Sequence, residues 1–107
     1  MHISEFQDLM RRLYIRRDSR RGAKRTYDWL VDETRELGDA LKKGDREELA
    51  NEFADVIAWL ASLANVVNVD LELATLSKYN NKCPKCGQSP CQCTFRATPT
   101  DVSDRHL

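Results

Sequence analysis

A chain of 107 residues, 41% hydrophobic and 32% charged, has room for one small core, burying about 60–65% of the surface its unfolded state exposes. Seventeen Lys and Arg against seventeen Asp and Glu leave no formal net charge, which excludes the overall basic field of a nonspecific nucleic-acid or membrane-surface binder. No apolar run approaches the ~18 residues of a membrane span, and the start, MHISEFQDLMRRLY, lacks the apolar centre of a signal peptide. A cytoplasmic protein with neither membrane nor nucleic-acid partner is expected.

In chain order, Ile3, Phe6, Leu9, Met10 and Leu13 repeat at three and four, which predicts a first helix to about Arg17 with Ser4 near its start as a cap. DSRRG breaks the pattern, with Gly22 as punctuation. A second helix begins near Ala23 to Thr26 and carries Tyr27, Leu30, Thr34, Leu37 and Leu41 on one face. KKGD closes it, with Lys42 and Lys43 in the last turn and Gly44 at the stop. Asp45 with Glu48 three residues later has the spacing of a capping box. A third helix runs from about Arg46 to Val66 on Leu49, Phe53, Val56, Ile57, Leu60, Leu63 and Ala64. NVVNVD ends it, and Asp70 can cap a fourth helix from Leu71 to about Asn81. With no paired strand pattern, the fold class is all-α: an antiparallel helical bundle of about four helices, followed by a cysteine knuckle. Three segments are expected, an all-α domain over 1–82, the knuckle over 83–93, and a loosely ordered polar tail over 94–107.

Charge is unevenly spread. From Arg11 to Arg25 there are eight bases (Arg11, Arg12, Arg16, Arg17, Arg20, Arg21, Lys24, Arg25) against the one acid Asp18; from Asp28 to Asp55 there are ten acids against four bases. This suits a partner carrying both phosphate and metal; it equally suits two solvated helix faces that attract each other.

The acids have a pattern. On a helical wheel with Leu30 at 0°, Glu33 falls about 60° and Glu36 about 120° to one side of the apolar stripe. With Leu49 at 0°, Glu52 and Asp55 fall at the same two offsets, about 60° and about 120°. The short turn at Gly44 forces an antiparallel hairpin, so offsets of equal sign meet on one flank of the seam. Glu36 and Glu52 are each eight residues from Gly44, and Glu33 and Asp55 each eleven, so the four carboxylates should converge roughly 12–16 Å from the turn. Four anions beside a low-dielectric core repel unless a cation joins them. All-oxygen ligation selects Mg²⁺ or Mn²⁺ over zinc, and Mg²⁺ commonly bridges to substrate phosphates.

ETRE (Glu33 to Glu36), followed after fifteen residues by EFAD (Glu52 to Asp55), resembles the ExxE…ExxD signature of the MazG-like all-α nucleoside triphosphate pyrophosphohydrolases. The stretch WLVDETRELGDALKKGDREELANEFADVIAWLASLANVVNVDLELATLSKY is similar to that family over its length, and the resemblance covers about residues 3 to 82. It implies that Glu33, Glu36, Glu52 and Asp55 hold Mg²⁺, and that water attacks the α-phosphorus of a nucleoside triphosphate to release pyrophosphate and a monophosphate. It further implies that Glu33 or Glu36 polarises that water, and that the chain works as a homodimer or dimer of dimers. House-cleaning of noncanonical nucleotides is one role the resemblance suggests; hydrolysis of phosphoribosyl-ATP or dUTP by the same fold is an alternative. A non-catalytic, metal-stabilised interaction module is a third reading. Lys78 resembles a family lysine that contacts phosphates, while Asn81 and Lys82 match an asparagine–arginine pair only in part. Arg20, Arg21, Lys24 and Arg25 precede the acids and can neutralise a triphosphate, or can simply be a solvated helix start. Trp29 or Tyr27 can stack on a base, or belong to the core. His2 and His106 carry no catalytic expectation.

Cys83, Cys86, Cys91 and Cys93 form CxxC-x4-CxC with Pro84, Gly87 and Pro90 shaping the loops. Four close thiols in a reducing compartment suit structural, tetrahedral Zn²⁺. The central spacer is shorter than that of the usual zinc ribbon, which counts against a mononuclear site. The spacing also departs from the known iron–sulfur runs, an iron–sulfur cluster stays open as an alternative, and an oxidising cell would favour two disulfides.

Overall fold

Gly44 and Asp45 make the turn that organises the chain. The structure, a computed structural model, describes residues 1–100. Helix α1 spans Ile3–Lys43, α2 Arg46–Val66 and α3 Leu71–Lys78, and there is no strand among the described residues. α1 stops where Gly44 takes left-handed backbone (φ 76°, ψ 12°) and its N–H reaches the Ala40 carbonyl, a conformation glycine adopts without a Cβ penalty. α2 starts where Asp45 Oδ1 accepts the amides of Glu47 (3.0 Å) and Glu48 (3.3 Å), a cap that contributes about 1 kcal/mol. Glu48 does not return the favour. Its Oε1 accepts from Lys43 Nζ at 3.3 Å, so only half of the expected capping box forms.

The first two expected helices are one element with a break. The helix continues past Arg17 to Arg21, and Gly22 alone leaves helical geometry, at φ 84° and ψ 169°. That combination is essentially restricted to glycine; a Cβ there would meet nothing within 4 Å, so the requirement comes from the backbone and not from packing. Helix resumes at once, and Thr26, fully buried, donates its hydroxyl to the Gly22 carbonyl at 2.7 Å. Among the described residues three helices therefore stand where about four were expected. The start also differs: Glu5 Oε1 accepts the His2 N–H at 2.8 Å, while the Ser4 N–H goes to Glu72 Oε1 at 3.1 Å.

α1 and α2 pack against each other as an antiparallel pair. The buried apolar residues of the seam are small or unbranched: Met10, Ala40, Ala61 and Ala64. Leu49, Val56 and Leu63 are half-buried. Phe53 (55% exposed), Ile57 (55%) and Leu60 (42%), expected in a buried stripe, face outward. Two helices meet along a single line, so a stripe wider than that line is left partly uncovered. At the far end from the turn, Gln7 and Asn65 lock α1 to α2, and Gln7 Oε1 accepts the first amide of α3, that of Leu71, at 2.9 Å.

The chain divides into two compact units, Met1–Glu72 and a second beginning at Leu73. In the second, α3 ends at Lys78 rather than near Asn81, and Asn81 adopts left-handed backbone (φ 61°) in the turn that follows. Residues 94–100 form no helix or strand; the rest of the expected tail, with His106, lies outside the described residues. Among the described residues no single helix is long and apolar enough to cross a membrane.

Candidate active site and cysteine cluster

The hairpin brings Glu33 and Glu36 of α1 to Glu52 of α2, with one carboxylate oxygen from each within 4.8 Å of the others. All three are half-buried. Asp55 is exposed and outside that trio, yet its charge acts on both Glu33 and Glu52. The mutual register read from Gly44 thus brings three of the four acids together and leaves the fourth at the margin.

The electrostatic strain falls on two of them. Glu33 is pushed up from 4.5 to about 7, first by burial, then by its hydrogen bond with Glu36 and by the charges of Glu36, Asp55 and Glu52. Glu52 is also raised, by burial and then by the charges of Glu36, Asp55 and Glu48, against a hydrogen bond with Glu33 that lowers it. Glu33 Oε2 and Glu52 Oε2 are buried without a hydrogen-bond partner. Buried carboxylate oxygens without donors are costly, and a hard divalent cation is what an all-oxygen donor set of this kind fits.

Beside the acids lies a cavity of about 290 Å³, walled by Tyr14, Arg17, Asp18, Arg21, Asp55 and Trp59, among others. Asp55 belongs to both features. Trp29 and Trp59 stack at 5.4 Å between ring centroids with 8° between planes, and the Arg21 guanidinium lies 4.8 Å from the Trp59 ring centroid. Arg21 is held there by Asp18, whose Oδ1 accepts its Nη1 at 2.8 Å.

Of the expected substrate contacts, Arg21 is therefore part of an ion pair and a cation–π contact at the cavity wall, and Trp29 is stacked on its neighbour and half exposed. Arg25 is exposed. Lys78, Asn81 and Lys82 belong to the second unit, where all three are exposed and Lys78 Nζ lies 5.7 Å from the Tyr79 ring centroid. Sequence reasoning missed Trp59 and Asp18. Trp59 carried a signal, since it follows Asp55 by four residues and so shares its face. Asp18 carried one too, as the single acid in a run of eight bases.

In the second unit the four thiols converge. The Sγ atoms of Cys83, Cys86, Cys91 and Cys93 lie within 4.8 Å of one another, and Cys83 and Cys93 are 3.8 Å apart. Thiolates about 2.3 Å from zinc stand at tetrahedral edges of about 3.8 Å. Main-chain amides point at the sulfurs: Gln92 N–H to Cys86 Sγ and Cys93 N–H to Cys91 Sγ, each at 3.3 Å. Gly87, at φ 75°, allows the tight turn in which its N–H reaches the Cys83 carbonyl at 2.8 Å. Cys86 is drawn down to about 6 by the amides of Gln92 and Gln88, and Cys83 is lowered by those of Cys86 and Lys85. Cys93 is pushed up to about 12, chiefly by its hydrogen bond with Cys91 and by burial. One thiolate is ready at neutral pH, and another forms only when a cation draws off its proton.

A family model described as the MazG nucleotide pyrophosphohydrolase domain matches residues 21–87. No match was found among curated proteins. The matched segment is more than half of the chain and contains Glu33, Glu36, Glu52 and Asp55, together with Cys83 and Cys86; Asp18, Cys91 and Cys93 lie beyond its ends. The chain belongs to the MazG nucleotide pyrophosphohydrolase family.

Proposed function

We propose that this protein is a Mg²⁺- or Mn²⁺-dependent nucleoside triphosphate pyrophosphohydrolase, releasing pyrophosphate and a nucleoside monophosphate. The observation that carries the reading is the trio Glu33, Glu36 and Glu52 within 4.8 Å, two of them with bare buried oxygens. With Asp55 they would hold the cation, which supplies charge neutralisation at the phosphates and lowers the proton affinity of water. Glu33 or Glu36 orients the attacking water and accepts its proton. The water oxygen bonds to the α-phosphorus as the bond to the α,β-bridging oxygen breaks, and pyrophosphate leaves. Arg21 and Arg25, with Lys78, Asn81 and Lys82, are the candidates for binding phosphates, and Trp29 for stacking on the base. Removal of noncanonical nucleotides is the role such an activity suits.

Two further assignments accompany it. Cys83, Cys86, Cys91 and Cys93 hold a structural Zn²⁺; the convergence of their sulfurs within 4.8 Å, the 3.8 Å separation of Cys83 and Cys93 and the inward amides support this, and four filled positions leave no catalytic one. A homodimer or dimer of dimers covers the outward Phe53, Ile57 and Leu60.

The test is release of pyrophosphate from a panel of canonical and modified triphosphates, with dUTP and phosphoribosyl-ATP included, in Mg²⁺, Mn²⁺ and EDTA. Metal-dependent release with a monophosphate product, lost by on the order of a hundredfold or more in Glu36→Gln, supports the reading. Silence across the panel from folded, metal-loaded protein overturns it and leaves a non-catalytic module.

A further inference from the structure

Asp18 is buried, 2% exposed, between the arginine pairs Arg16–Arg17 and Arg20–Arg21. Its Oδ1 is satisfied by Arg21 at 2.8 Å, but its Oδ2 is buried with no hydrogen-bond partner. Native structures rarely leave a salt-bridged carboxylate oxygen bare, because the lost solvation is not recovered. Asp18 lines the 290 Å³ cavity that Asp55 joins to the acid trio. That volume is at the small end of ligand pockets, roughly 300–1,000 Å³, which suits a nucleobase and not a whole triphosphate. The Arg21 guanidinium, laid over the Trp59 ring in the same wall, is a flat surface on which a base can stack.

We infer that Asp18 selects the substrate's base, its free oxygen accepting a hydrogen bond from an exocyclic amino group, so that the pocket takes cytosine over uracil and adenine over hypoxanthine. This rests on the pyrophosphohydrolase reading and sharpens it. The amino group of cytosine or adenine donates N–H to Oδ2. Uracil and hypoxanthine present a carbonyl oxygen at the same position, which leaves two acceptors facing each other and the carboxylate still unsatisfied. Sites built to hydrogen-bond a substrate group reject its absence far more strongly than apolar pockets reject a methyl group. Arg21 keeps Asp18 from turning out of the wall, and Asp18 keeps Arg21 over Trp59.

The test uses the full-length protein and the non-hydrolysable α,β-methylene analogues of CTP, UTP, ATP and ITP, with binding followed by tryptophan fluorescence and by calorimetry. The expected result is tighter binding of the CTP analogue than the UTP analogue, and of the ATP analogue than the ITP analogue, each by about tenfold or more. Asp18→Asn, whose amide can donate to a carbonyl, should erase or invert both ratios. The wild-type ratios stand without the variant, should it fold poorly. Equal binding of amino and keto partners, or ratios that survive in Asp18→Asn, overturns the assignment of Asp18 while pyrophosphate release from any triphosphate keeps the enzymatic reading intact. No binding by any analogue together with no pyrophosphate release overturns both.

Discussion

Gln7 and Asn65 exchange hydrogen bonds across 58 positions of sequence: Gln7 Nε2 donates to Asn65 Oδ1 at 3.1 Å, and Asn65 Nδ2 donates to the Gln7 carbonyl at 3.1 Å. The same Gln7 amide donates to the Val69 carbonyl at 2.7 Å and accepts from the Leu71 amide. One buried side chain thus joins the start of α1, the end of α2 and the start of α3. Replacing it with Leu leaves three partners unsatisfied at once, the buried Asn65 Oδ1 and the part-buried Val69 carbonyl and Leu71 amide, each at a cost of up to about 1–3 kcal/mol where water cannot reach. Gln7→Leu should therefore lose about 2–4 kcal/mol in urea unfolding. A loss under about 0.5 kcal/mol, the level of an ordinary surface change, would show that the network is not holding the helices together.

The acid trio makes a prediction about pH in the metal-free protein. Glu33 titrates higher in the folded chain, about 7, than its ordinary 4.5. A carboxyl raised by folding contributes stability that is complete below its unfolded value and is lost as pH rises through the folded one. Without divalent metal, the melting temperature should fall from pH 5 to pH 8, and Glu33→Gln should flatten most of that slope. Glu52, raised for similar reasons, acts in the same direction. Mg²⁺ competes with protons for these oxygens, so its stabilising effect should be larger at pH 8 than at pH 6. A metal-free melting temperature flat across this range would remove the coupling.

The cysteine cluster should bind one Zn²⁺ per chain and release protons when it does. Cys86, drawn down to about 6, is mostly thiolate at pH 7.5, whereas Cys93, pushed up to about 12, must give up a proton to ligate. Calorimetry in two buffers of different ionisation enthalpy reads that release directly, and Cys93→Ser should abolish it along with stoichiometric zinc. Co²⁺ substitution should give the absorption of a tetrahedral thiolate site. Zinc uptake without proton release would mean that the thiols are not the ligands.

What the sequence made legible was local and symmetric. Gly44, Asp45 and the equal spacing of two acidic pairs from the turn lead to a hairpin in which three of the four acids meet, because each step depends only on helical geometry. The span from Asp18 to Arg21 was not legible as helix. Charged residues are neutral to that choice, and only the backbone of Gly22 decides where the break falls. Nor could Asp18 be read as inward-facing, since its environment comes from Trp59 on the other helix, brought close only by the fold. The apolar stripe of α2 was legible as a stripe, but periodicity does not tell whether a face is covered by the same chain or another.

That uncovered stripe yields the last prediction. Phe53 and Ile57 lie four residues apart on α2 and are each 55% exposed, with Leu60 beside them and Tyr27 and Val31 half exposed on α1. Burying the exposed half of two such side chains contributes about 0.8–1.5 kcal/mol each, and doing so on both copies of a symmetric contact doubles the effect. The protein should therefore run as a dimer or larger species in light scattering after gel filtration. Phe53→Glu should shift it toward monomer with its helical circular dichroism retained, because the side chain takes little part in the α1–α2 seam. A wild-type monomer at tens of micromolar would mean that this face meets something other than a second copy. A Phe53→Glu variant that stays assembled would place the contact between copies elsewhere on the helices.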